Sequence, residues 1–197
     1  MRPLSFIRTV LLSACLLGAA QVGVAASTEE PLAQSTATNI TKAMWQQEFK
    51  QLLPLLGHRN WVLVVDKAFP WQSAAGMTYI DSGEEIEPVL ASVLEMFAEA
   101  PHVKPIVYTD KELNYLAQMG SEEKALVERF GELLKGHNAQ SILHDEIFTK
   151  LDAASKLFNV VVIKTESLVA YSSVFIELDC GYWSAEKEQR LRTLMAN

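Results

Sequence analysis

The chain of 197 residues sets 17 Lys and Arg against 24 Asp and Glu, a net charge of −7, and 49% of its residues are hydrophobic. That acidic balance excludes nucleic acid and anionic membrane surfaces as expected partners, since both repel negative charge. Two cysteines, Cys15 and Cys180, are too few for a disulfide framework, so stability must come from packing.

Residues 1–26 read as a secretory signal peptide. Arg2 and Arg8 form a basic start, Thr9 to Ala20 an apolar stretch, and Val24-Ala25-Ala26 a small-residue cleavage signal. The expected location is periplasmic or secreted. Leu12-Ser13-Ala14-Cys15 also fits a lipoprotein cleavage box, which would leave Cys15 lipidated. The apolar stretch is shorter than the roughly 20 residues of a membrane helix, so no membrane span is expected. Cleavage at Ala26 removes two arginines and no acid, which takes the net charge to −9 and leaves Cys180 unpaired. Residues 27–40, rich in Ser, Thr, Ala and Glu, read as a flexible leader. Residues 41–197 suffice for one core and one domain.

Thr41 is a plausible N-cap, and Met44, Trp45, Phe49, Leu52, Leu53 and Leu56 recur at helical spacing up to a C-cap at Gly57. Trp61 to Val65 is apolar throughout, as expected of a strand covered on both faces. A loop through Pro70, Gly76 and Gly83 precedes a helix from Glu84 to Ala98. A strand at Lys104–Thr109 follows, then a short helix capped by Asp110 and another capped by Ser121 that reaches Gly136. Next come a strand at Gln140–Leu143, a helix from Asp145 to Leu157, strands at Val160–Ile163 and Val174–Leu178, and a C-terminal helix capped by Ser184. This alternation predicts a single-domain α/β fold, a mostly parallel sheet with helices on both faces.

Four positions could carry chemistry. His58 precedes the first strand, where a histidine suits either a helix-end partner or a general acid/base whose pKa lies near neutrality. Asp66 ends that strand, at the carboxyl end where α/β sheets bind ligands, and could be a turn residue or a hydroxyl acceptor. His144 ends the Gln140 strand in the same way, or neighbours a helix start. Tyr171 stands before the last strand, either to pack its ring or to offer a phenol. At about 3.3 Å per residue a straight strand holds His58 and Asp66 roughly 20 Å or more apart. Either the chain bends back at Pro70, or a second copy supplies the other group. The four histidines lack metal-ligand spacing, and no phosphate-binding glycine loop or Gly-x-Ser-x-Gly elbow occurs, so no metal and no cofactor is expected.

Leu56-Gly57-His58, eight residues on to Asp66 and four more to Pro70, resembles the D-ribose pyranase and L-fucose mutarotase family, also called RbsD/FucU. That family reads Gly-His, an apolar strand, then Asp-Ala-x-x-Pro at the same spacing. Met77 to Asp81 is similar to the segment that follows it, with Tyr79 in place of arginine, and Phe158 to Glu166 with Tyr171-Ser172-Ser173 is similar to the family's Thr-Gly-Glu and Tyr-x-Asn region. The resemblance implies a catalytic role for His58 and sugar binding by Asp66, His144, Tyr171 and Ser173. It also implies a monosaccharide partner, metal-free interconversion of anomers or ring forms, and a ring-shaped homo-oligomer, a decamer, with sites at subunit boundaries. Asn60, Lys67 and Ser173 depart from the pattern, and the family is cytosolic. A non-catalytic sugar-binding or scaffold protein on the same fold is the alternative.

Overall fold

The computed structural model describes residues 44–196, which form one α/β domain with a six-stranded sheet. The expected signal peptide, the leader and the cap at Thr41 lie outside the described residues. Helix α1 covers 44–52 and passes into a 3-10 turn at Leu53–Leu55. Pro54 forces that change, because it has no N–H to continue the helical ladder. Gly57 is therefore not a helix C-cap. The left-handed residue of this connection is Arg59, at φ 73°, and Asn60 shapes the turn by accepting from the Gly57 N–H at 2.7 Å.

The remaining elements are β1 (Trp61–Val65), β2 (Met77–Asp81), α2 (Ile86–Ala98), β3 (Val103–Asp110), α3 (Lys111–Leu116), α4 (Ser121–Leu133), β4 (Gln140–Ile142), α5 (His144–Ala154), β5 (Val160–Lys164), β6 (Val174–Cys180) and α6 (Ala185–Met195). β2 falls where the sequence suggests a loop. It is an edge strand with one fully buried side chain, Ile80, and its pattern is correspondingly faint. No helix among the described residues is long and apolar enough to cross a membrane.

The strand order is β2-β5-β1-β6-β3-β4, and every neighbouring pair is parallel except those made by β6. A parallel return needs a crossover of a dozen or more residues. Only residues 165–173 separate β5 from β6, so the chain must re-enter the sheet in the opposite direction. That link passes over the end of β1, where Thr165 Oγ1 donates to the Val65 carbonyl at 2.8 Å. Lys164 Nζ donates to the carbonyls of Lys67 at 2.9 Å and Phe69 at 2.6 Å, fixing the loop after β1.

Helices cover both faces of the sheet. Val62, Val64, Val161, Ile163, Ile176 and Val107 pack against α1, α2, α3 and α4 on one side. Leu63, Val65, Val160, Val162 and Phe175 pack against α5 through Ile147 and Leu151 on the other. All five residues of β1 are buried, as its unbroken apolar run requires.

Two glycines test this packing. A Cβ on Gly76 would stand 2.5 Å from the Phe158 carbonyl oxygen and 2.6 Å from that of Ser155, whereas a Cβ on Gly57 meets nothing within 4 Å. Urea unfolding should show Gly76→Ala losing about 1–3 kcal/mol, as overpacking does. Gly57→Ala should stay within about 0.5 kcal/mol of the wild type. Equal losses at both positions would contradict this packing.

Candidate active site

The reversed strand β6 gathers polar groups from three strands at one edge of the sheet. Its neighbours β1 and β3 both end there, and each delivers an aspartate. Asp66 is the residue after β1, and Asp110 is the last of β3. Pairs Val64↔Val174 and Thr109↔Val174 set the register, so Ser173, one residue before β6, lies between the two acids. Ser173 Oγ donates to Asp66 Oδ2 at 2.8 Å and accepts from the Asp66 N–H at 3.2 Å. Asp66 Oδ1 accepts from the Ala68 N–H at 2.9 Å, which closes the turn after the strand.

Asp110 does not cap α3 with its side chain. Its carboxyl group is buried, with Oδ2 3.1 Å from His144 Nδ1, and Oδ1 has no hydrogen-bond partner among the described residues. Burial raises its pKa from 3.8 to about 6, the bond and charge of His144 oppose that rise, and the carboxylates of Glu112 and Asp66 add to it.

His144 is the first residue of α5, and its backbone N–H points at the Glu112 carboxylate, 3.2 Å from either oxygen. A carboxylate at that position suits the positive end of the helix dipole. The imidazole is about one-third exposed. It rests against Phe148 at a ring separation of 4.6 Å, and it meets Tyr171 edge-on at 5.1 Å. Tyr171 is held with φ at 57°, a left-handed conformation uncommon for a bulky residue and concentrated at functional sites. A cavity of about 490 Å³ opens beside it, lined by Lys111, Glu112, Tyr115, Leu116, Leu143 and Tyr171.

The structure thus brings together Asp66, His144, Tyr171 and Ser173. His58 is elsewhere. It precedes β1, at the other end of the sheet, with Nδ1 3.0 Å from Asp179 Oδ1 and Nε2 accepting from Arg59 Nε at 3.3 Å. Its ring is exposed and lines a separate cavity with Asp179, Cys180, Tyr182, Trp183 and Glu188. Asp179 and Ser173 stand at opposite ends of β6, so the chain does not bend back at Pro70 to unite His58 with Asp66. His102 is half-buried and lies 3.2 Å from the Leu53 carbonyl through Nε2. Among the described residues no group of three or more His, Cys, Asp and Glu is arranged to hold a metal ion.

Sequence reasoning missed Asp110 and Glu112. Asp110 follows the expected strand Lys104–Thr109 as Asp66 follows Trp61–Val65, each aspartate at a strand's carboxyl end. The rule that marks Asp66 as a candidate therefore marks Asp110 as well.

No family model matches the chain, and no curated protein matches it. The similarity is to solved structures. RbsD of Bacillus subtilis complexed with D-ribose is 17% identical, with a TM-score of 0.46 over 67% of this chain and 91% of that one. FucU of Bifidobacterium longum is 18% identical, with a TM-score of 0.45 over 68% and 94%. The fucose mutarotase of Streptococcus pneumoniae in complex with L-fucose is 14% identical, with a TM-score of 0.46 over 67% and 91%.

The raised pKa of Asp110 has a measurable consequence. A carboxyl that holds its proton more tightly when folded contributes stability that is complete below pH 3.8 and lost as pH rises through about 6. Asp110→Asn cannot titrate and escapes that loss. The melting temperature of the variant minus that of the wild type should therefore be greater at pH 7 than at pH 4. A difference that does not change with pH would contradict the assignment.

Proposed function

We propose that this chain binds a monosaccharide at the edge formed by Asp66, Ser173, His144 and Tyr171, and interconverts its anomers or ring forms by acid/base catalysis without a metal. The observation that carries the reading is the convergence of Asp66, the His144 imidazole and the Tyr171 phenol over the buried side chains of Asp110 and Ser173, with Tyr171 lining an open cavity. Sugars present a dense set of hydroxyl donors and acceptors, and carboxylates, hydroxyls and imidazoles are suited to pair with them. The reaction asks little more. Ring opening needs a proton taken from the anomeric hydroxyl and one given to the ring oxygen, and one positioned acid/base group supplies about 10²–10⁴-fold. The resemblance in sequence points to the same chemistry.

That resemblance gives the catalytic role to His58, which within one chain lies at the far end of the sheet. In that form the reading requires a second copy to bring His58 to this edge, in a homo-oligomer and outside the cytoplasm. Analytical ultracentrifugation of the mature chain should then show an assembly. A monomer at working concentration would remove His58 from the site.

A non-catalytic sugar-binding protein is favoured by one specific feature. Asp66 already has a partner on each oxygen, Ala68 and Ser173, so its capacity for substrate hydroxyls is partly taken. Saturation-transfer NMR on D-ribose and L-fucose separates the two readings. The enzyme accelerates anomer exchange in the wild type and loses most of it in Asp66→Ala. A binder raises the melting temperature with sugar and leaves exchange at its spontaneous rate. Neither binding nor acceleration with any reducing monosaccharide would overturn both.

A further inference from the structure

We infer that His144, oriented by the buried carboxylate of Asp110, is the group that moves the proton at this edge, with Asp110 as its positioning residue. The inference rests on the function proposed above and names the base within a single chain, without His58.

Three observations carry it. The first is the pairing itself. Asp110 is fully buried at the end of β3, and one of its oxygens lies 3.1 Å from His144 Nδ1. A carboxylate that accepts from Nδ1–H fixes the ring and leaves the lone pair on Nε2, the tautomer a general base needs. The second is the free side of the ring. Nε2 has no hydrogen-bond partner among the described residues, the imidazole is 37% exposed, and the ring meets Tyr171, which lines the open cavity. The third is the orphaned oxygen. Asp110 Oδ1 is buried without a partner, a placement that costs stability and is retained most readily where the group serves a site. His58 differs on each count. Its Asp179 partner is well exposed, and its own Nε2 already accepts from Arg59.

The chemistry balances on one imidazole. Nε2 takes the proton of the anomeric hydroxyl, the bond from the anomeric carbon to the ring oxygen breaks as the carbonyl forms, and the imidazolium returns the same proton to the departing ring oxygen. Both oxygens are bonded to one carbon, so a single nitrogen reaches each in turn. After rotation of the open chain the steps reverse onto the other face. No proton is gained or lost overall, and the Asp110 carboxylate steadies the imidazolium between the two transfers.

Four charged or titratable groups face this pair. Glu112 meets the start of α5, Asp66 stands across β6, Tyr171 closes the loop side, and Lys111 lines the adjoining cavity. An aspartate-to-asparagine change removes the orienting charge and leaves these in place.

The test follows anomer exchange of D-ribose and L-fucose by saturation transfer in wild type, His144→Gln, Asp110→Asn and His58→Ala, together with the ring-nitrogen shifts of His144. The expected result is a loss of about 10²-fold or more in kcat for His144→Gln. Asp110→Asn should lower kcat with KM little changed and shift the acid limb of the pH profile. The His144 nitrogens should report the Nδ1–H tautomer in the wild type and not in Asp110→Asn. If His144→Gln fails to fold, Asp110→Asn and the tautomer decide. Folded His144 and Asp110 variants with full kcat, while His58→Ala is inactive, would overturn the inference and spare the function. An Nε2–H tautomer in the wild type would overturn it even for a protein that exchanges no sugar, whereas absent exchange with the expected tautomer refutes the function and the proton-transfer role with it, leaving only the orienting of His144 by Asp110.

Discussion

One strand running against its neighbours organises the end of the sheet where the proposed site lies. β6 enters the middle of the sheet antiparallel because the link from β5 is too short to return to the other end, and this sets Ser173 between the aspartates that close β1 and β3. In a fully parallel sheet the residue beside Asp66 and Asp110 would be the end of another strand. Here it is the start of β6, arriving from a loop that also carries Tyr171. Backbone topology therefore brings a hydroxyl and a phenol to two carboxylates that are 44 positions apart in sequence.

Electrostatics then divides the labour between those carboxylates. Asp66 remains partly accessible and is satisfied by Ala68 and Ser173. Asp110 is buried, holds His144, and keeps one oxygen unpaired. Burial raises the pKa of Asp110 to about 6, and carboxyls perturbed in this way cluster at functional sites. The hydrophobic packing beneath, with β1 buried along its whole length, keeps this edge fixed, with Asp110 and Ser173 buried and Asp66, His144 and Tyr171 reaching solvent.

Much of this was legible in the sequence. The unbroken apolar run Trp61–Val65 identifies a doubly covered strand, and the alternation of elements identifies the α/β class. What was hidden depends on contacts distant in sequence. A buried carboxylate and a helix cap look alike at Asp110, because its partner lies 34 positions away. The pairing of His58 with Asp179 spans 121 positions and follows only from the antiparallel register of β1 and β6. The brevity of the link between β5 and β6 was a readable sign of that reversal. Pro54 was likewise a readable sign that the first helix changes geometry before Gly57.

The central claim, that the ligand site is the edge where β1 and β3 end and β6 begins, is tested most directly by mapping amide shifts of the isotope-labelled protein on titration with L-fucose and D-ribose. The expected shifts fall on Asp66 to Phe69, Asp110 to Glu112, His144 and Tyr171 to Ser173. Shifts confined to His58, Cys180 and Trp183 at the opposite end of the sheet, or no shifts at all, would contradict it.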